Sequence, residues 1–130
     1  MRPEGWEGLL AAHIVEGRSC EFEWGAHDCV LWCANWVRKL TGNDLAADWR
    51  GTYGTEEEAN SVLNSLGFAS PADLADEHLD AIPVLRAKRG DIVQHPAGML
   101  GICDGARAYF LTLEGVTRLE FTKCLRAWKV

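Results

Sequence analysis

At 130 residues, 48% hydrophobic and 25% charged, the chain has the length and balance of one compact globular domain. A net charge of −6 argues against a nucleic-acid surface, which needs a basic face, and no apolar run approaches the ~20 residues of a membrane-spanning helix. The amino-terminal stretch Met1-Arg2-Pro3-Glu4-Gly5-Trp6-Glu7 lacks the apolar core and cleavage site of a signal peptide, so synthesis in a bacterial cytoplasm is expected, with retention there or exit inside an assembled particle.

The first predicted element is a helix from Trp6 to Val15, with Trp6, Leu9, Leu10, His13 and Ile14 at helical spacing and Gly17 as its terminator. A corner follows at Phe22-Glu23-Trp24-Gly25-Ala26-His27-Asp28-Cys29. Asp28 caps a second helix running to Leu40, whose inner face carries Cys29, Cys33, Trp36, Val37 and Leu40; Thr41-Gly42-Asn43 stops it. Asp44 caps a short helical turn, Leu45 to Trp49. Thr55 opens a third helix with a Thr-x-x-Glu capping box to Glu58, and its inner face is Ala59, Val62, Leu63 and Leu66. Its Glu56-Glu57-Glu58 run reads as a solvated first turn. Ser70-Pro71 begins a fourth helix through Leu79.

From Ile82 onward the pattern becomes that of strands and tight turns: Asp91 to His95, Met99 to Cys103, Ala106 to Leu113, Val116 to Phe121, and a closing segment from Arg126 to Val130. Helices first and an antiparallel meander second predict a single α+β domain over residues 1–130, a helical half packed on a sheet of about five short strands.

The five cysteines contain no CxxC pair, and without a signal peptide free thiols are expected, most of them as small core residues. Cys29 is the exception. A thiol in the first turn of a helix faces unpaired backbone N–H groups and the positive end of the dipole, which lower its pKa and favour the nucleophilic thiolate.

The Trp24-Gly25-x-x-Asp28-Cys29 corner, the Arg89-Gly90-Asp91-Ile92-Val93 strand and the Gly101-Ile102-Cys103-Asp104-Gly105 segment occur in an order that resembles the NlpC/P60 group of papain-like cysteine peptidases, over residues 20 to 112. The compact form resembles a short phage-borne branch of unknown function. The resemblance implies a papain-like fold, Cys29 as nucleophile with Asp28 setting its corner, and cell-wall stem peptides or phage tail proteins as partners. It also implies a general-base histidine in the slot that holds Met99 here, and an orienting polar residue near Phe110 or Leu111, where Thr112 is the polar neighbour.

Two histidines stand close enough in sequence to replace that base. His95 faces Met99 across Pro96-Ala97-Gly98, and hairpin partners have Cβ atoms within ~5.5 Å. His27 lies two residues before Cys29. The plainer reading makes each of them a loop histidine bonding nearby backbone, and His13 and His78 structural. Cys29, Cys33 and His27 lack a fourth ligand, so no metal is expected, and no cofactor. The tryptophans are mainly core, with Trp24, Gly25 and Trp32 as candidate substrate-binding positions beside Cys29.

Two functional readings follow. One is a phage tail-tip or tail-assembly protein with a degenerate cysteine-peptidase site. The other is an active endopeptidase, in which the Cys29 thiolate attacks a cell-wall peptide amide with His95 or His27 as acid/base.

Overall fold

The structure, a computed structural model, describes residues 2–130. Met1, the start of the amino-terminal stretch read above, lies outside the described residues. These form four helices, α1 (Trp6–Ser19), α2 (Cys29–Thr41), α3 (Glu56–Ser65) and α4 (Pro71–His78). Six strands follow: β1 (Asp80–Ile82), β2 (Ile92–Gln94), β3 (Leu100–Asp104), β4 (Arg107–Thr112), β5 (Gly115–Glu120) and β6 (Arg126–Lys129). The class is α+β, and every strand pair is antiparallel. Among the described residues no helix is long and apolar enough to cross a membrane.

The sheet order is β1-β6-β2-β3-β4-β5. The consecutive meander runs from β2 to β5, as the turn signals predict. The closing segment instead returns across the sheet and inserts between β1 and β2, with Trp128 opposite both Ala81 and Ile92. β1 is a sixth strand that the sequence pattern does not announce. Its three residues, Asp-Ala-Ile, have no alternation of their own and become a strand only because β6 supplies a partner.

Period-two alternation divides the sheet into two faces. Ile92, Leu100, Ile102, Leu111 and Trp128 pack under α1, α2 and α4 with Leu10, Trp36 and Val37. Val93, Cys103, Ala108, Phe110 and Ala127 form a second layer, covered by Val84, Phe121 and Cys124. Removing this apolar surface from water, at roughly 25 cal/mol per Å², drives the assembly.

Helix α2 is the centre of the first layer, with seven buried side chains from Leu31 to Leu40. The indole of Trp36 donates to the Gly90 carbonyl (2.8 Å). Beside it, the buried Asp91 carboxylate accepts from the backbone N–H groups of Lys88 (2.9 Å) and Val130 (3.1 Å) and from Arg2 (3.0 Å). The Gly-Asp step before β2 is thus a structural clasp.

Helix α1 runs through Gly17 to Ser19. Gly17 does not terminate it; a Cβ there would lie 2.8 Å from Trp32 Nε1, so the glycine is a notch that admits the Trp32 indole. The Leu45–Trp49 segment forms turns rather than a helix, held by Asp44, which accepts from Ala46 N–H and pairs with Arg50. Thr55 caps α3 by accepting from Glu58 N–H (3.1 Å). The fully reciprocal box is absent, because Glu58 takes the Thr55 hydroxyl instead (3.3 Å).

Candidate functional site

The corner before α2 is held by one buried carboxylate. Asp28 Oδ1 accepts from Leu31 N–H (2.9 Å), while Oδ2 accepts from Gly25 N–H (3.0 Å) and from the Tyr53 hydroxyl (2.5 Å). Glu23 and His27 close the loop as a bridge. Gly25 has φ +83°, and a Cβ there would stand 1.9 Å from the Tyr53 carbonyl oxygen. No other residue type fits. Burial and then the neighbouring Asp28 push the Tyr53 phenol well above its ordinary range, so it stays a donor. Asp28 therefore caps a helix and ties two loops together, with its oxygens already taken.

Cys29 begins α2, as predicted, but its environment reverses the expected chemistry. Cys29 is half-buried at the edge of open space, yet desolvation pushes its thiol up to about 12, and the negative charge of Asp28 adds to that rise. The backbone N–H groups of Val30, Cys29 itself and Leu100 pull the other way and do not prevail. The loss of hydration of an anion outweighs what a helix terminus returns.

Neither replacement histidine serves Cys29. His95 does face Met99, donating its backbone N–H to the Met99 carbonyl (2.8 Å). However, it lies two residues beyond Val93 and so shares the sheet face opposite the helices. There its ring packs edge-to-face on Phe110, 5.0 Å between centroids, and Nδ1 accepts from Ala97 N–H (2.9 Å). His27 turns back to α1, with Nε2 3.5 Å from the Gly17 carbonyl. Among the described residues, no histidine hydrogen-bonds Cys29. The plainer reading of both, a histidine bonding nearby backbone, describes these contacts.

His13 is fully buried. Its Nε2 donates to the Trp32 carbonyl (2.8 Å), Nδ1 accepts from Lys39 (2.9 Å), and burial lowers its pKa to about 4. Trp32 stacks on this ring, 5.2 Å between centroids, and is itself buried between α1 and α2. It cannot line a substrate site, which corrects that expectation. Gly25 acts through the corner's geometry alone. Trp24, half-buried and edge-on to Phe22 (4.9 Å), is the one of the three that borders open space.

That open space is a groove of about 470 Å³ over Cys29, bounded by Phe22, Trp24, Met99, Leu111 and Thr112. Met99 thus lines the same groove as Cys29. Thr112 spends its hydroxyl within its own turn, donating to the Gly115 carbonyl (2.8 Å) and accepting from Glu114 N–H (3.2 Å). A side pocket of about 100 Å³ opens between the start of α2 and the inner face of α3, walled by Val30, Trp49, Tyr53, Asn60, Val62 and Leu63. Trp24, Cys29 and Glu56 border both spaces. Trp49, Tyr53, Asn60 and Glu114 carry no sequence signal for this role; the 42–55 loop, whose path no short motif encodes, brings the first two there.

Among the described residues, no three His, Cys, Asp or Glu side chains gather as a metal site. No curated protein matches the chain. The resemblance to NlpC/P60 peptidases is overturned by the family comparison, which matches a different family and gives no NlpC/P60 match. The matching model spans residues 1–130, and the chain belongs to that family, described as a domain of unknown function (DUF6950).

Proposed function

We propose that the chain is a docking module: the groove over Cys29 holds a partner segment and performs no covalent chemistry. The observation that carries this reading is geometric: His27 turns to the Gly17 carbonyl, and His95 packs on Phe110 and accepts from Ala97 N–H, so among the described residues no histidine is hydrogen-bonded to Cys29, and desolvation raises its thiol in the same direction. A nucleophilic cysteine needs a lowered pKa or an adjacent base, and neither is present. The groove itself is open and largely apolar, which suits binding. A phage tail-tip or tail-assembly role, implied by the resemblance alone, enters this proposal only through its chemistry, docking without cleavage.

A second reading keeps Cys29 as nucleophile toward a cell-wall peptide amide. One observation favours it: the backbone N–H groups of Val30, Cys29 and Leu100 act to lower the Cys29 pKa, and such donors favour the thiolate over the thiol.

The two readings predict opposite results for iodoacetamide alkylation of Cys29 across pH 5–10, taken as the difference from Cys29→Ser so that the exposed Cys20 is subtracted. Docking predicts slow labelling with no inflection below about 8.5, the ordinary thiol value. A fast reaction titrating well below that value would overturn the docking reading and restore the enzyme.

A further inference from the structure

Two leucines lie far out on the surface, and the charges around them are opposite. Leu85 (77% exposed) and Leu113 (71%) are the most exposed large apolar side chains among the described residues. A single exposed leucine is ordinary; what matters here is the surroundings of each. Leu113 edges the groove over Cys29, whose apolar walls include Phe22, Trp24, Met99 and Leu111. The charged groups of that groove are Glu56 and Glu114, both exposed and in no ion pair among the described residues. No lysine or arginine borders it.

Leu85 sits in a basic segment instead. It lies within the 3-10 turn Val84–Arg86, and Lys88 and Arg89 follow. Arg89 pairs with Asp104 (2.9 Å), whereas Arg86 and Lys88 are exposed and pair with no carboxylate among the described residues. Asp91, which borders the same cleft, is buried and already accepts from Arg2, Lys88 N–H and Val130 N–H. The turn is anchored: Arg86 and Ala87 N–H groups donate to the Pro83 and Val84 carbonyls (2.9 and 3.0 Å), and Val84 packs into the layer away from the helices.

One chain cannot fill its own groove. The Leu85 turn packs beside Phe121–Lys123, just past the end of β5, whereas the groove reaches residues 112–114, just before β5 begins. The six residues of β5, roughly 20 Å of strand, lie between them.

We propose that the groove takes the Leu85 turn of a second copy of this chain. Leu85 enters the apolar groove, and Arg86 and Lys88 meet the unpaired Glu56 and Glu114. This names the partner in the docking reading and rests on that reading. Turn and groove are different patches of one molecule, so the contact is heterologous. Each added copy brings a fresh groove, and assembly continues to a ring or an open filament. The net charge of −6 opposes self-association in general, which leaves this charge-matched orientation as the favoured one.

Sedimentation velocity on the whole chain, up to millimolar concentration, tests the proposal. At about 20 mM salt the weight-average sedimentation coefficient should rise with concentration. Association should weaken about tenfold at about 500 mM salt, the loss expected of two exposed ion pairs. Leu85→Glu spoils the turn, and Leu113→Lys combined with Glu114→Lys spoils the groove; all three positions are exposed, so the fold is kept. Each variant alone should stay monomeric. Their equimolar mixture restores one intact pairing and should give a heterodimer that grows no further. A wild-type chain that stays monomeric, association that survives salt or either variant, or a mixture that stays monomeric would each overturn the proposal. Its failure is separable from that of the docking reading: a reactive Cys29 sinks docking without covalent chemistry, whereas a silent Cys29 in a monomeric chain sinks only the choice of partner.

Discussion

Helices α2 and α3 start alike and end up in opposite situations. Each opens on a side chain that accepts from the third backbone N–H, Asp28 for one and Thr55 for the other, and each has a clear apolar stripe. α2 buries seven of its thirteen residues; α3 buries none of its ten. The difference lies in what faces the stripe. One face of α2 meets the sheet and α1, whereas on α3 Val62 packs only partly, against Leu31, Ala34, Trp49 and Leu74, and Ala59 and Leu63 border a cavity. A well-formed amphipathic pattern records that a helix faces something apolar, without recording whether that neighbour belongs to the same chain.

Substitutions can break this contrast. Leu40→Ala on α2, where the side chain is 3% exposed and packs in the layer under the sheet, should cost about 3 kcal/mol in urea unfolding. Leu63→Ala on α3 should cost under about 1 kcal/mol, because the site already borders empty space. Equal losses at the two positions would mean that α3 is as tightly packed as α2.

Gly25→Ala should come next, at about 2 kcal/mol or more, since it forces a Cβ into the Tyr53 carbonyl at a positive φ. Its effect belongs to the corner that α2 needs, and α3 should keep its own hydrogen-exchange pattern.

A pH titration sharpens the same contrast from the α1–α2 side. His13 titrates at about 4 in the folded chain against 6.5 when free, so the unfolded chain binds the extra proton between those values. Its contribution, up to about 3 kcal/mol, is complete above pH 6.5 and is lost as pH falls toward 4. His13→Gln should flatten that part of the stability–pH curve; an unchanged slope would contradict the assignment. The smallest effect is expected at Thr55→Ala, about 1 kcal/mol through the lost cap of α3.

Local chemistry in the sequence is read well where the partner is a near neighbour. Asp28 capping the second helix, Thr55 opening the third and the turns of the β2–β5 meander all depend on residues within a few positions. The α+β class follows from their order. What distance along the chain hides is the remainder. β1 needs β6, some 47 residues away, to exist. Gly17 looks like a helix terminator until Trp32 is packed against it. The His95 face is partly legible, because alternation from Val93 puts it on the face away from Ile92, whereas the hairpin contact with Met99 taken alone points the other way. For the Cys29 thiol the helix terminus is a local effect visible in short motifs, while desolvation by the rest of the chain is the larger one. The family resemblance drew on the same short motifs, and those motifs describe a corner and a clasp that serve folding.

The most direct test of the silent thiol is the Cys29 Cβ chemical shift, followed by ¹³C-cysteine labelling from pH 6 to 10 and assigned with Cys29→Ser. The account predicts that the signal keeps its thiol value throughout that range. A titration centred below about 8.5 would show an activated thiolate at the head of α2 and contradict it.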